Sequence, residues 1–498
     1  MKPDSPTDPQ RLRPAHRAAL GAILVAGAVA RVFESGRAPM WFDEIYTTWA
    51  ARGGAAAVIA RMARDVHPPL HTLLVAGWEA LGGESTPWLR SLSVGFGLAT
   101  IVAVFLLGRA AFGARAGLVA AALLAVHPVH VYFSQEARVY ALFWLELTAA
   151  WWLAWRWLSA GGARYAAGYV VAATLALYTH YLSGLILAFT GLAGLLLAWR
   201  TDGTRRRALG WIGLHLVVAA LFLPQLPTFL RQNARLEADH WTGPPDARDL
   251  RDWLRHASGS VTYLIPVFLA LGALAFRRAA DRRPAAFLAF VGVAPVLAAY
   301  WLGTRGAHVF TARYMYYAVP PLLAVAAAGL VSLADLARDR SAPVRLAPWL
   351  LFVGLLGMET RSIALRGPYG EAADLASANR LLRGSVRPGD IVFCADTHAL
   401  LFLVHHEPRL ARIQLLWFDA KFPYYEGALV IADSLRVGPA AFGEPRPAGS
   451  RWWGVRVRHG GRNGTEAAAL FDSAAAGRSR HFGSVTVWGP EAGGAPTP

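Results

Sequence analysis

Two adjacent carboxylates, Asp43 and Glu44, lie in the aromatic stretch MWFDEIYTTWA, shortly after the first apolar run of the chain. A carboxylate at a reacting centre can act as a general base and take the proton from an attacking hydroxyl, which contributes about 10²–10⁴-fold to a rate. Acidic residues are also commonplace at protein surfaces, where such a pair forms an ordinary solvated turn. The chemical meaning of this pair therefore depends on the polar residues that share its side of the chain.

Four further polar segments stand beside apolar runs: DVHPPLH at 65–71, YFSQEARVY at 132–140, LYTHY at 177–181 and HVFTARYMYY at 308–317. Arg138 and Arg313 suit a phosphate, because the planar guanidinium can donate two parallel hydrogen bonds to it. Further hydrogen bonds can come from four side chains in the same segments: His67, Tyr140, His180 and Tyr314. Together with the Asp43–Glu44 pair, these segments predict one shared polar site beside the spans.

Each segment also has a purely structural explanation. The prolines of DVHPPLH are well placed for the first turn of a helix, an arginine at the end of a span can extend to the interface, and His180 can be a hydrogen-bonded core histidine. His67 and His71 have a spacing that can bind a metal on a helix, but the intervening proline pair and the lack of a third ligand nearby argue against it. No cofactor is expected, and a divalent metal is not indicated. The HHE segment at 405–407 is interpreted as surface.

The composition is that of a polytopic membrane protein. Of 498 residues, 55% are hydrophobic and 16% are charged, which is too apolar for a soluble domain of this size. About eleven apolar segments are long enough to cross a bilayer. They lie near residues 18–33, 88–108, 116–133, 140–158, 165–180, 182–199, 208–229, 260–276, 284–302, 316–334 and 347–362. The run at 18–33 is expected to be a retained span, whereas Leu70–Gly82 is too short to cross and is expected to lie in the interface or to re-enter.

Arginine clusters orient the predicted spans. The formal charge of +17 comes largely from arginines in short loops between apolar runs, as in cytoplasmic loops, and this distribution argues against nucleic acid as a partner. If the N-terminus is cytoplasmic, these basic loops lie inside and the five polar segments lie outside. Ionisable groups at membrane depth usually mark a pathway or a site. The topology therefore predicts an outward-opening cavity, with the C-terminus also outside.

The pattern changes after Arg366. Five short segments are predicted to be strands: GDIVFCAD, RIQLLWF, GALVIADS, RWWGVRVR and HFGSVTVWG. With the helical piece EAADLASANRLL they predict a small extracytoplasmic α/β or α+β domain over 367–498, after a transmembrane domain over 1–366 that includes the first outer loop, 34–87. Cys394 is the single cysteine, so an intramolecular disulfide and cysteine-based metal sites are excluded.

Six motifs occur in a fixed order between residues 41 and 321: WFDE, DVHPPLH, WLRSLS, SQEARVYAL, LYTHY and ARYMYYAVPP. In this order the sequence resembles the family 39-type GT-C glycosyltransferases, which include bacterial protein mannosyltransferase-like and lipopolysaccharide-core (Rgt-like) enzymes and, more distantly, the aminoarabinose transferase of lipid A. The resemblance implies a GT-C membrane fold, a sugar donor carried on polyprenyl phosphate, inversion at the anomeric carbon, and a glycan, lipid or protein acceptor at the outer face of the bacterial cytoplasmic membrane.

The resemblance also implies roles for individual residues. Asp43, the aspartate of the DE motif, is the expected catalytic base, with Glu44 orienting its loop or holding an acceptor hydroxyl. His67 falls in the segment that lies near the donor phosphate. The aminoarabinose transferase has a Glu-Lys pair where this chain has Val66 and His67, so the donor sugar, hexosyl or pentosyl, stays open.

A transporter or flippase of lipid-linked saccharides is the alternative from another functional class. Many spans and a charged cavity fit that interpretation as well. Transporters often contain internal repeats and interrupted helices that meet at the midplane. No repeat is evident in this sequence, and its polar residues gather at one end of the spans. The ordered motifs therefore favour the enzyme.

Overall fold

The computed structural model describes residues 12–33, 35–199, 204–238, 243–262, 264–365, 370–410, 412–418, 422, 427, 429–444, 449–457, 461–475 and 478–490. In these residues the α-helices are α1 (Pro14–Val32), α2 (Phe42–Ala51), α3 (Gly54–Met62), α4 (Leu70–Gly82), α5 (Thr86–Phe112), α6 (Ala114–Ala125), α7 (Pro128–Ser134), α8 (Tyr140–Ala160), α9 (Ala163–Thr179), α10 (Ser183–Trp199), α11 (Thr204–Phe222), α12 (Leu226–Ala238), α13 (Ala247–Ala257), α14 (Leu264–Arg278), α15 (Arg283–Thr304), α16 (Ala312–Met315), α17 (Val319–Leu336), α18 (Ala342–Ala364), α19 (Gly370–Ser385), α20 (Thr397–His406), α21 (Ala440–Gly443) and α22 (Gly461–Ala475). The strands are β1 (Ile391–Cys394), β2 (Ile413–Leu416), β3 (Arg436–Val437), β4 (Trp452–Val457), β5 (Ser479–Phe482) and β6 (Val485–Trp488).

The chain packs into two compact units. The first contains residues 1–33, 66–71 and 90–366, and the second contains 34–65, 72–89 and 367–498. The chain leaves the first unit for the last time after Arg366. Most of the loop 34–87 belongs to the second unit. Because compact packing does not show which segments fold independently, the domain bounds 1–366 and 367–498 remain a prediction.

The first unit is built from the apolar segments. Each of the eleven predicted segments coincides with a helix or with consecutive helices. Within the described residues, six helical segments are individually long and apolar enough to cross a membrane, and α6 with α7, bent by 64° at a short break, makes a seventh if the pair is one span. The multi-pass helical class is therefore confirmed, and the number of crossings remains a prediction. Leu70–Gly82 forms α4 with the bounds given by its apolar pattern.

The core of this unit is formed where spans approach closely. Trp144 and Trp151 of α8 are fully buried, and they join one apolar cluster with α6, α9, α14 and α17. Gly329 of α17 lies directly against the backbone of Leu271 in α14, where a β-carbon would collide with the Leu271 carbonyl. Small residues allow such close approach between membrane helices, where van der Waals contact drives association.

The second unit contains a six-stranded sheet of order β3-β2-β1-β4-β6-β5. Strands β3, β2, β1 and β4 pair in parallel, and β4, β6 and β5 pair antiparallel, with Val392 opposite Ile413 and Val455 opposite Val487. Helices α20 and α22 connect β1 to β2 and β4 to β5 in the chain. The expected small C-terminal domain with a sheet is thus confirmed as α/β.

Two strand predictions in this domain are wrong. The described part of GALVIADS forms turns, in which the N–H groups of Val430 and Ile431 donate to the Gly427 carbonyl, and a short 3-10 helix at Asp433–Leu435. Strand β3 begins only after that helix. A short apolar run does not by itself distinguish a strand from another buried segment. HFGSVTVWG is not one strand: Gly483, with φ of 57°, turns the chain between β5 and β6 to make a hairpin.

Candidate active site

The segment that carries Arg138 follows a broken helix. Because α6 ends at Ala125, its last carbonyls lack helical partners, which is costly in an apolar environment. The guanidinium of Arg31, fully buried in α1, donates to the carbonyls of Ala125 at 2.7 Å and Leu124 at 3.2 Å, and to the hydroxyl of Ser134 at 3.2 Å. Arg31 thereby holds the bend between α6 and α7.

The loop after α7 is tied to the end of α1. The side-chain amide of Gln135 donates to the carbonyls of Arg31 at 3.0 Å and Phe33 at 2.9 Å. Arg138 lies three residues further on and is only 9% exposed, and Tyr140 begins α8 with 1% of its surface exposed. The loop that carries Arg138 is therefore tied to the end of α1 at Gln135 and leads into α8 at Tyr140.

Two guanidinium groups and a second imidazole lie near His180, the residue that directly follows α9. Arg138, Arg313 and His67 all lie close enough to act electrostatically on the His180 ring. His67, His180 and Arg313 are half-buried. The structure thus brings together four predicted residues from four distant parts of the chain, in an arrangement that favours an anion.

Aromatic rings connect the same residues. The His180 ring stacks on Phe143, with centroids 4.9 Å apart and planes at 23°, and meets Tyr314 edge-on at 4.9 Å. Tyr314 lies 6.2 Å from Tyr140, and the Arg313 guanidinium lies 5.6 Å from the Tyr314 ring centroid. Six of the eight predicted site residues therefore form one cluster, which we call the arginine cluster: His67, Arg138, Tyr140, His180, Arg313 and Tyr314.

The hydrogen bonding of His180 determines what it can do. The backbone N–H of Leu182 donates to Nδ1 of His180 at 3.3 Å, so Nδ1 is the acceptor nitrogen. In a neutral imidazole the proton is then on Nε2. His180 can therefore donate from Nε2 to an anionic oxygen without carrying a charge.

A second imidazole, His71, lies beside the cluster at the start of α4. It is 4% exposed, and burial, together with the nearby Arg138 and His67 side chains, lowers its pKa from the usual value to about 3. His71 is therefore neutral at physiological pH and adds no charge of its own. Among the described residues no group of three or more His, Cys, Asp or Glu side chains is placed to hold a metal.

The sequence did not reveal several residues that support the cluster. Gln232 of α12 is 1% exposed; it accepts from the Tyr181 hydroxyl at 2.5 Å and donates to the His67 carbonyl at 3.5 Å. Trp253 of α13 donates from its indole N–H to the carbonyl of Met315 at 3.2 Å, which holds the short helix that carries Arg313. The start of α13 had a detectable signal, since Asp246 caps it by accepting from backbone amides. The sequence around Gln232 contains no comparable signal of its supporting role.

Asp43 and Glu44 occupy the first turn of α2 in the second unit. Asp43 is half-buried and its carbonyl accepts from the Thr47 hydroxyl at 2.8 Å. Glu44 is fully buried, and its carboxylate accepts from the backbone N–H of Trp41 at 3.4 Å. The N-terminus of a helix favours negative charge. This capping bond supports the expectation that Glu44 orients the segment; the roles of both acids remain predictions.

Comparison with known proteins agrees with this architecture. Residues 66–227 match the model of a family described as dolichyl-phosphate-mannose-protein mannosyltransferase. Among curated proteins the sequence has no match.

Two solved structures are similar over most of the chain. ArnT from Cupriavidus metallidurans bound to undecaprenyl phosphate shares 14% identity at a TM-score of 0.60, over 96% of this chain and 99% of that one. The oligosaccharyltransferase AglB from Archaeoglobus fulgidus, in complex with an inhibitory peptide and a dolichol-phosphate, shares 14% identity at a TM-score of 0.54, over 92% of this chain and 71% of that one. The resemblance seen in the ordered motifs is thereby confirmed, and the chain has the fold of the polytopic GT-C glycosyltransferases.

Proposed function

We propose that the protein is an inverting glycosyltransferase that moves a sugar from a polyprenyl-phosphate donor to a cell-envelope acceptor at the outer face of the bacterial cytoplasmic membrane. The observation that carries this proposal is the arginine cluster, in which two guanidinium groups lie near an imidazole whose Nε2–H can donate a hydrogen bond. The similar structures of ArnT and AglB contain undecaprenyl phosphate and dolichol-phosphate, respectively. A lipid phosphate is therefore the anion that we assign to the cluster.

The chemistry follows from a single displacement. The acceptor hydroxyl oxygen forms a bond to the anomeric carbon while the bond from that carbon to the phosphate oxygen breaks. The hydroxyl proton passes to the carboxylate of Asp43, and the polyprenyl phosphate leaves with the electron pair. One displacement inverts the anomeric configuration.

The leaving phosphate gains negative charge in the transition state, and fixed cations and N–H donors stabilise that charge. Arg138 and Arg313 supply the cations, and His180 supplies an N–H group. Tyr140 and Tyr314 shape the aromatic side of the cluster. In this proposal Glu44 orients the helix that carries Asp43, and the membrane lipids solvate the polyprenyl chain.

The test compares lipid-linked sugars in cells with and without the protein. Without it, one sugar should accumulate on polyprenyl phosphate, and one envelope glycan, lipid or protein should lack that sugar. Asp43→Asn, expressed at the wild-type level in the membrane, should reproduce the accumulation, because an amide cannot accept the proton. Arg305→Ala is a matched control for the effect of a surface change, since Arg305 is exposed and lies eight residues before Arg313.

Two results would refute parts of this proposal. An unchanged pool of lipid-linked sugars in the absence of the protein would exclude the transferase function. Normal transfer by Asp43→Asn would remove Asp43 as the base.

A transporter of lipid-linked saccharides is favoured by one observation, the bend of 64° between α6 and α7, since interrupted helices are frequent in transporters. In that case the sugar would collect on the inner leaflet of cells that lack the protein, and Asp43→Asn would not affect its transfer. The location of the accumulated lipid therefore separates the two functions.

A further inference from the structure

The second unit contains a contact between two segments far apart in sequence. Helix α2, which carries Asp43, packs against α20 of the α/β domain. Four aromatic side chains lie on one face of α20 at the spacing i, i+4, i+7 and i+8: His398, Phe402, His405 and His406. The HHE segment, expected to be surface, is therefore part of an internal contact, and Glu407 is 7% exposed.

The strongest contact lies directly beside the candidate base. The rings of Phe42 and His398 stack with centroids 4.2 Å apart and planes at 8°. His398 is held in turn by Glu371 of α19, whose carboxylate lies 2.6 Å from Nδ1 of His398. Phe42 precedes Asp43 in the chain, so the position of this ring limits where the first turn of α2 can lie.

Two further hydrogen bonds hold the ends of the same segment. Nε2 of His406 donates to the carbonyl of Met40 at 3.2 Å, and the indole N–H of Trp49 donates to Nδ1 of His405 at 3.3 Å. Burial, with the charges of His406 and Arg52, lowers the pKa of His405 to about 4, so its ring is neutral and can accept this bond. Asp43 thus lies between two points at which α20 holds the chain.

We infer that the C-terminal α/β domain acts as the support that orients the Asp43 helix, with His398 as a positioning residue. This inference rests on the proposed function, in which Asp43 takes the acceptor proton. A base displaced by about 1 Å from its productive position can lose up to about 10²-fold in rate. The domain would then be needed for transfer even if it never touched donor or acceptor.

The test uses full-length protein with three variants. His398→Ala removes the ring, His398→Phe keeps a ring that can stack on Phe42, and His481→Ala is the control, because His481 is exposed on the edge strand β5. Hydrogen–deuterium exchange of peptides covering 42–51 measures how firmly α2 is held. Transfer is measured in cells as the loss of sugar from polyprenyl phosphate.

His398→Ala should speed exchange in 42–51 by about two- to tenfold, which corresponds to loss of one aromatic pair, and should slow transfer by about 10- to 100-fold. His398→Phe should restore both, and His481→Ala should change neither. Equal exchange in His398→Ala and His481→Ala would overturn the inference, as would faster exchange with normal transfer, or failure of His398→Phe to rescue. If Asp43→Asn proves active, the proposed function fails while the exchange result still stands.

Discussion

Replacing Arg138 tests the phosphate assignment most directly, because this side chain is 9% exposed and its charge acts on both His71 and His180. A hydrogen bond to a charged group contributes about 1.5–3 kcal/mol. At 1.4 kcal/mol per tenfold, Arg138→Ala should therefore weaken binding of undecaprenyl phosphate by about 10- to 150-fold. Arg138→Lys keeps the charge but loses the planar fork, so its loss should be smaller.

The cluster contains a second arginine, which allows a sharper version of this experiment. If Arg138 and Arg313 bind the same phosphate, their effects should not add, since residues that share a partner show interaction energies of about 0.5–3 kcal/mol. Binding of undecaprenyl phosphate to purified wild type, Arg138→Ala, Arg313→Ala and the double variant gives this energy.

The matched control is again Arg305→Ala, which removes an exposed guanidinium that lies over Trp301. Its dissociation constant should equal that of the wild type. The reasoning is refuted if Arg138→Ala binds the lipid phosphate as tightly as Arg305→Ala does, or if the effects of Arg138→Ala and Arg313→Ala are strictly additive.

Two more predictions concern stability. Arg31→Met should lower the melting temperature and weaken undecaprenyl phosphate binding, because the carbonyls of Leu124 and Ala125 lose their hydrogen-bond donor. Each buried carbonyl left without a donor costs about 1–3 kcal/mol of folding free energy. An unchanged melting temperature in thermal unfolding would contradict the capping role of Arg31. Burial raises the pKa of Asp390, but hydrogen bonds from Arg451, backbone amides and Trp453 outweigh it and hold the pKa at about 2, below the usual 3.8. The stabilisation from ionised Asp390 is therefore complete above pH 3.8 and is lost as the pH falls toward 2. Asp390→Asn should be less stable than wild type at neutral pH, and the difference should shrink over that interval; a gap in melting temperature independent of pH would refute the linkage.

Much of the fold could be predicted because membrane insertion depends on local apolar length. The eleven apolar segments all became helical, and α4 has the predicted bounds, since a run of apolar residues specifies a span without any partner. The errors lie in the α/β domain, where the described part of GALVIADS forms turns and Gly483 reverses the chain inside an apparently continuous strand. A short apolar pattern carries too little information to place such turns.

The ordered motifs identified residues capable of phosphate and proton chemistry, and the structure shows that six of them are neighbours. The supporting residues were missed because their importance comes from partners far away in sequence. Gln232 matters through the His67 carbonyl, and Arg31 matters through carbonyls more than 90 residues later. His398 matters through Phe42, more than 350 residues earlier.

The sequence by itself determined that this is a multi-pass membrane protein with acids, arginines and histidines beside its spans, because hydrophobicity and side-chain chemistry belong to each residue alone. Only the tertiary structure decided which of those side chains are neighbours, that a buried arginine supports the Arg138 loop, and that α20 packs on the helix of Asp43. Such pairings arise from packing between distant segments, whose geometry no local pattern contains.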